Sequence, residues 1–100
     1  VFDGIWACGS LIHVPKSEMK AILSKLADAL CVHGILYMSM KKGDYEGFRG
    51  ERYFSDYTED SLKTMIERTG LFEIIRIWES DDVRSNHSSM KWVNLLARKK

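Results

Sequence analysis

The first fifteen residues, Val1-Phe-Asp-Gly-Ile-Trp-Ala-Cys-Gly-Ser-Leu-Ile-His-Val-Pro15, constrain the fold more than any other stretch. A run from Phe2 to Cys8, apolar on both alternating faces except at Asp3 and Gly4, reads as a central strand buried between two helical layers. It breaks at Gly9-Ser10, and Pro15 suits the first turn of a helix, where its missing N–H is no loss. From Lys16 to about Leu30, Met19, Ile22, Leu23, Leu26 and Leu30 recur at helical spacing, with Lys16, Glu18, Lys20, Lys25 and Asp28 on the other side. Gly34 is the expected stop signal, and Ile35-Leu-Tyr-Met-Ser-Met40 is a second apolar strand. Strand, helix and strand together make a βαβ unit with parallel strands. Open α/β sheets bind ligands in the crevice beyond the carboxyl ends of their strands. Residues Cys8 to His13 therefore stand where chemistry is expected.

The stretch from Lys41 to Tyr57 has neither helical nor strand periodicity. It holds Gly43, Gly47 and Gly50 among charges and the aromatics Tyr45, Phe48, Tyr53, Phe54 and Tyr57. A structureless connection of this length is uncommon in a compact domain, and its aromatic content argues against plain disorder. It reads as a mobile lid or substrate loop. Thr58 is placed to cap a following helix, with Glu59 and Asp60 in its first turn and Gly70 closing it. Leu71 to Trp78 reads as a strand, Glu79 to Ser88 as a polar loop, and Met90 to Ala97 as a last strand. No helix fits between these two strands, so they are expected to pair as an antiparallel hairpin. The order is β-α-β-loop-α-β-β in a single domain of 100 residues.

Charge excludes some partners. Fifteen Lys and Arg against 14 Asp and Glu give a net +1, so no general field draws the chain to nucleic acid or to an anionic membrane. Arg98-Lys99-Lys100 reads as a solvated tail. No apolar run approaches the ~20 residues that span a bilayer. Cys8 and Cys31 share no metal or redox spacing and lie in apolar contexts, which suggests reduced, buried thiols in a cytoplasmic protein. Three widely spaced histidines make no metal site. Trp6, Trp78 and Trp92 lie inside strand patterns and read as core residues.

Taken in order, Phe2, Asp3, Ile5, Leu11 and His13, the helix, Gly34-Ile-Leu-Tyr-Met-Ser-Met40, Arg52-Tyr-Phe-Ser-Asp-Tyr-Thr58 and a closing antiparallel pair carry a resemblance over the whole chain. They resemble the C-terminal half of class I S-adenosylmethionine-dependent methyltransferases, in particular small bacterial generic methyltransferase domains. The resemblance implies an α/β fold, a partial Rossmann-like sheet supplying strands 4, 5, 7 and 6 of the family order 3-2-1-4-5-7-6, with the seventh antiparallel and helices packed on the sheet. It also implies that S-adenosylmethionine is the cofactor of a complete domain of which this chain is the C-terminal part. None of the glycines forms a G-x-G pair, so the main cofactor-binding turn is absent and the chain alone is expected to bind weakly and be inactive.

Cys8, Gly9, Ser10 and Leu11 are, by resemblance, the cofactor side of the site. His13 is the candidate catalytic base, since an imidazole accepts a proton near neutrality; it equally fits a packing role against the lid, and many methyl transfers need no base. Cys8 has no activating neighbour and reads better as a structural thiol than as a nucleophile. Arg49, Arg52 and Tyr53 are candidates for holding a carboxylate or phosphate of a small-molecule acceptor, or are simply solvated. A different reading is a catalytically silent module that associates into a homodimer or larger assembly through the unpaired edge of its first strand. A nicotinamide-dependent Rossmann-like enzyme is disfavoured by the closing hairpin.

Overall fold

The computed structural model describes residues 2–81 and 91–100. Its elements are β1 (Phe2–Cys8), α1 (Lys16–Ala29), β2 (Leu30–Lys41), β3 (Glu46–Arg49), β4 (Arg52–Ser55), α2 (Glu59–Thr69), β5 (Phe72–Asp81) and β6 (Lys91–Lys99). The main sheet runs β1-β2-β6-β5. β1 and β2 are parallel, whereas β6 is antiparallel to both β2 and β5. This is the expected 4-5-7-6 arrangement with its antiparallel closing strand.

Strand alternation explains where the core lies. Leu36, Met38 and Met40 of β2 and Val93, Leu95 and Ala97 of β6 point to one face and are fully buried, alongside Ala7 of β1. Cross-strand pairing sets Leu36 beside Ala97, Met38 beside Leu95 and Met40 beside Val93. Met19, Leu23 and Ala27 of α1 and Leu62 and Ile66 of α2, the apolar stripes of the two helices, complete the same cluster. α2 is capped as its sequence requires. Thr58 Oγ1 accepts from the Ser61 N–H, Ser61 Oγ accepts from the Thr58 N–H, and Gly70 ends the helix in the left-handed region at φ 68°.

Among the described residues no helix covers the opposite face of the sheet, and this overturns several expectations. Trp6, expected in the core, is 68% exposed and stacks on Tyr37 with ring centroids 5.3 Å apart. Trp78 is only half-buried, whereas Trp92, also half-buried, packs against the core cluster as expected. Cys8 shares the open face at the sheet edge and is exposed, while Cys31 is partly exposed and donates to Asp3 Oδ1 at 3.3 Å; neither is a buried thiol. β1 is an edge strand with helices on one side of it, so its apolar run does not signify burial on both faces.

Smaller corrections have local causes. Pro15 lies just outside α1, with extended ψ 142° and its carbonyl accepting from the Glu18 N–H. Gly34 is not the helix stop: α1 ends at Ala29, His33 takes the left-handed turn at φ 66°, and Gly34 lies within β2. A side chain at Gly34 would lie 2.8 Å from the Cys31 carbonyl oxygen, so close approach is what requires glycine there. Lys99 is no solvated tail; it closes β6 and donates to the Leu30 carbonyl at 2.8 Å, and Arg98 meets Glu73 at 3.4 Å. β5 runs on to Asp81, three residues further than its sequence pattern suggests, while Asp82, Arg84, Asn86 and His87 of the expected polar loop lie outside the described residues.

Leu95→Ala is expected to cost about 2–5 kcal/mol of stability, the range for truncating a fully buried leucine, and Thr58→Ala about 1 kcal/mol for the lost cap. Urea unfolding followed by circular dichroism checks both.

Candidate functional site

The parallel register of β1 and β2 ends with Cys8 beside Ser39, so the turn that follows β1 emerges at the carboxyl edge of the sheet. Gly9 makes that turn at φ 66°, and its N–H donates to Ser39 Oγ at 3.0 Å. A β-carbon at Gly9 would lie 3.5 Å from the Trp92 ring, so this indole stands directly against the turn. Ser10 is exposed, and its hydroxyl makes no hydrogen bond among the described residues. Leu11 is half-buried and accepts from the Val14 N–H.

Residues 41–57 are not the structureless connection their sequence suggests. They contain the hairpin β3–β4, in which Phe48 opposes Tyr53 and Arg49 opposes Arg52. Phe48 of β3 and the adjacent Tyr53 and Phe54 of β4 favour extended backbone, a signal the three glycines obscure in the sequence. The hairpin is tied down at several points. The Ser55 N–H donates to the Ile12 carbonyl at 2.8 Å, and Ser55 Oγ donates to the Val14 carbonyl at 2.7 Å. Glu46 Oε2 accepts from the Lys16 N–H and from the Tyr53 hydroxyl, both at 2.9 Å, which caps α1 from outside because α1 has no side-chain cap of its own. These two hydrogen bonds hold the Glu46 carboxyl below its ordinary range and push the Tyr53 phenol up.

His13 lies where β4 meets the turn. Its Nδ1 is 2.8 Å from the Tyr53 carbonyl oxygen. A carbonyl only accepts, so Nδ1 carries a proton, and Nε2 is the ring nitrogen this bond leaves available. The ring is exposed and packs edge-on to Phe54 at 4.7 Å. Arg49 grips buried Asp56 with two hydrogen bonds, 2.6 and 3.2 Å, and lies over Tyr45 at 4.5 Å and Phe54 at 5.1 Å. Its fork is thus engaged within the hairpin, while Arg52 at the turn is exposed.

The structure therefore brings Cys8, Gly9, Ser10, Leu11, His13 and Tyr53 to one edge, with Arg49 and Arg52 on the hairpin beside them. Sequence reasoning missed Glu46, Phe54, Asp56, Trp92 and Lys41. Lys41, whose ammonium is 5.1 Å from the Phe54 ring, was findable as the first polar residue after an apolar strand. Tyr57 is buried, its hydroxyl has no partner among the described residues, and burial pushes its pKa up to about 12. A groove of about 650 Å³ lies between α1 and α2 and is lined by none of the turn residues. Among the described residues no cluster could hold a metal ion, and no helix is long and apolar enough to cross a membrane.

No protein-family model matches the chain, and no curated protein matches it. Its fold is that of solved S-adenosylmethionine-dependent methyltransferases. It is similar to 1,6-didemethyltoxoflavin-N1-methyltransferase of Burkholderia thailandensis, solved with its substrate and S-adenosylhomocysteine, at TM-score 0.80 and 20% identity over 99% of this chain and 44% of that one. A methyltransferase of Methanosarcina mazei matches at TM-score 0.73 and 19% identity, over 98% of this chain and 59% of that one. The [4+2]-cyclase SpnF matches at TM-score 0.73 and 19% identity, over 99% of this chain and 50% of that one. The chain thus spans about half the length of these structures.

Glu46 has a lowered folded-state pKa, so its stabilising contribution is full above the ordinary carboxylate range and is lost as pH falls through the folded value. Wild type is expected to melt higher than Glu46→Gln at neutral pH. The difference should close on acidification towards pH ~3, as read from paired thermal melts.

Proposed function

We propose that the chain is the substrate-side part of a class I S-adenosylmethionine-dependent methyltransferase acting on a small-molecule acceptor in the cytoplasm. The observation that carries this reading is the Cys8–His13 turn at the carboxyl edge of a parallel β1–β2 pair, with the His13 ring held there by its Nδ1 hydrogen bond to the Tyr53 carbonyl. The fold likeness supports it, and the two free thiols fit a reducing compartment.

The turn fits a cofactor in one respect visible here. Among the described residues the exposed Ser10 hydroxyl makes no hydrogen bond, and the Gly9 Cβ direction meets an aromatic ring at ordinary contact distance. Cys8, Gly9, Ser10 and Leu11 would hold the methionine end of S-adenosylmethionine, which when bound supplies an electrophilic methyl on a sulfonium. His13 Nε2 takes the acceptor's proton as its oxygen or nitrogen becomes methylated, and the Tyr53 carbonyl keeps Nδ1 protonated throughout. Arg52 and Tyr53 line the acceptor side, and Arg49, clamped to Asp56, stiffens it.

A second reading rests on Trp6 and Phe2, 68% and 60% exposed, beside the unpaired edge of β1. It takes the isolated chain as an inactive module that forms a homodimer by pairing β1 edges about a two-fold axis.

Isothermal titration with S-adenosylmethionine separates the two readings. The first predicts binding by the full polypeptide that carries this chain and weak or no binding by residues 1–100 alone. Absence of binding by the full polypeptide would contradict it. Sedimentation of residues 1–100 at micromolar concentration is expected to show dimers or larger species, and a clean monomer would count against the association.

A further inference from the structure

The edge that carries the turn also carries a lysine, Lys41, with no carboxylate partner among the described residues. A chain of contacts leads along this edge from the turn to the imidazole. The Gly9 backbone lies against the Trp92 ring, Trp92 pairs across the sheet with Lys41, the Lys41 ammonium lies 5.1 Å from the Phe54 ring, and Phe54 packs on His13 at 4.7 Å. Lys41 thus stands on the same rim as the turn and the imidazole. It is half-buried, so its charge is less screened than that of a surface lysine.

Two neighbouring cations each have a carboxylate. Lys42 meets Glu79 at 3.1 Å and Arg49 meets Asp56 at 2.6 Å. Lys41 has no carboxylate among the described residues, only the ring face of Phe54. The same ring is also overlain by Arg49, whose one counter-ion is already held bidentate. Two permanent cations share one aromatic ring and one carboxylate, and a ring quadrupole attracts a cation without neutralising it.

We propose that the acceptor is an anionic small molecule, a carboxylate, a phosphate or another ionised acid, whose charge is received by the Lys41 ammonium beside Phe54. This rests on the methyltransferase reading of the site. An ammonium, with its three N–H donors, binds such a group by charge-assisted hydrogen bonds, and the aromatic walls of Phe54 and Trp92 suit an apolar body attached to it.

The test is isothermal titration of the full polypeptide saturated with S-adenosylhomocysteine, using 4-hydroxybenzoate and its uncharged counterpart 4-hydroxybenzamide as probes. The carboxylate should bind about tenfold more tightly than the amide, as expected for one charge-assisted contact. Lys41→Met should abolish the preference, Lys41→Arg should keep it, and affinity for S-adenosylhomocysteine should be unchanged in both variants. Equal affinities, binding of neither probe, or a preference that survives Lys41→Met overturns the assignment while leaving the methyltransferase reading intact. Failure of wild type to bind S-adenosylhomocysteine overturns both.

Discussion

The candidate site depends on β4 lying along the turn after β1. Ser55 makes two of the hydrogen bonds that join them, its N–H to Ile12 and its hydroxyl to Val14, across some forty residues of sequence. From that seam the rest follows. The Tyr53 carbonyl reaches His13 and selects its tautomer, Phe54 comes between His13 and Lys41, and Glu46 reaches the open end of α1. Ser55 is fully buried, so these bonds form where water does not compete, and losing either leaves a buried polar group unpaired.

The sheet has two unequal faces. One carries the apolar residues that both helices cover. The other is a mixed surface in which polar groups are satisfied within the sheet: Tyr37 donates to Asn94 Oδ1 at 2.7 Å, and Asn94 Nδ2 donates to Ser80 Oγ at 2.9 Å. Burial pushes the Tyr37 phenol up. Trp6, Tyr37 and Trp78 form an aromatic row across this face, with Arg76 over Trp78 at 4.6 Å. Asn94 and Ser39 can be buried in such a surface because each has a fixed partner, Tyr37 and Ser80 for Asn94 and the Gly9 N–H for Ser39.

Much of this was legible in the sequence for a plain reason. Helical and strand periodicities report which residues share a face, and α1, α2 and the four long strands obey them. What periodicity cannot report is whether a second layer covers the other face. Phe2 to Cys8 reads as doubly buried because Trp6 and Cys8 are apolar in composition, yet they face outward. The hairpin β3–β4 was hidden because its strands have four residues each and its register is set by contacts with Ile12, Val14 and Lys16, far away in sequence. For the site, the turn and His13 could be placed from strand logic alone, whereas Lys41, Phe54 and Glu46 act through contacts that only the folded chain creates.

A shared fold hosts many chemistries, so the methyltransferase reading stands or falls at the turn itself. The most direct measurement is a crystal structure of the full polypeptide with S-adenosylhomocysteine. The account predicts the ligand's sulfur at the Cys8–Leu11 turn, on the same rim as His13 Nε2 and the Lys41 ammonium. A ligand seated elsewhere, with the turn empty, would contradict it.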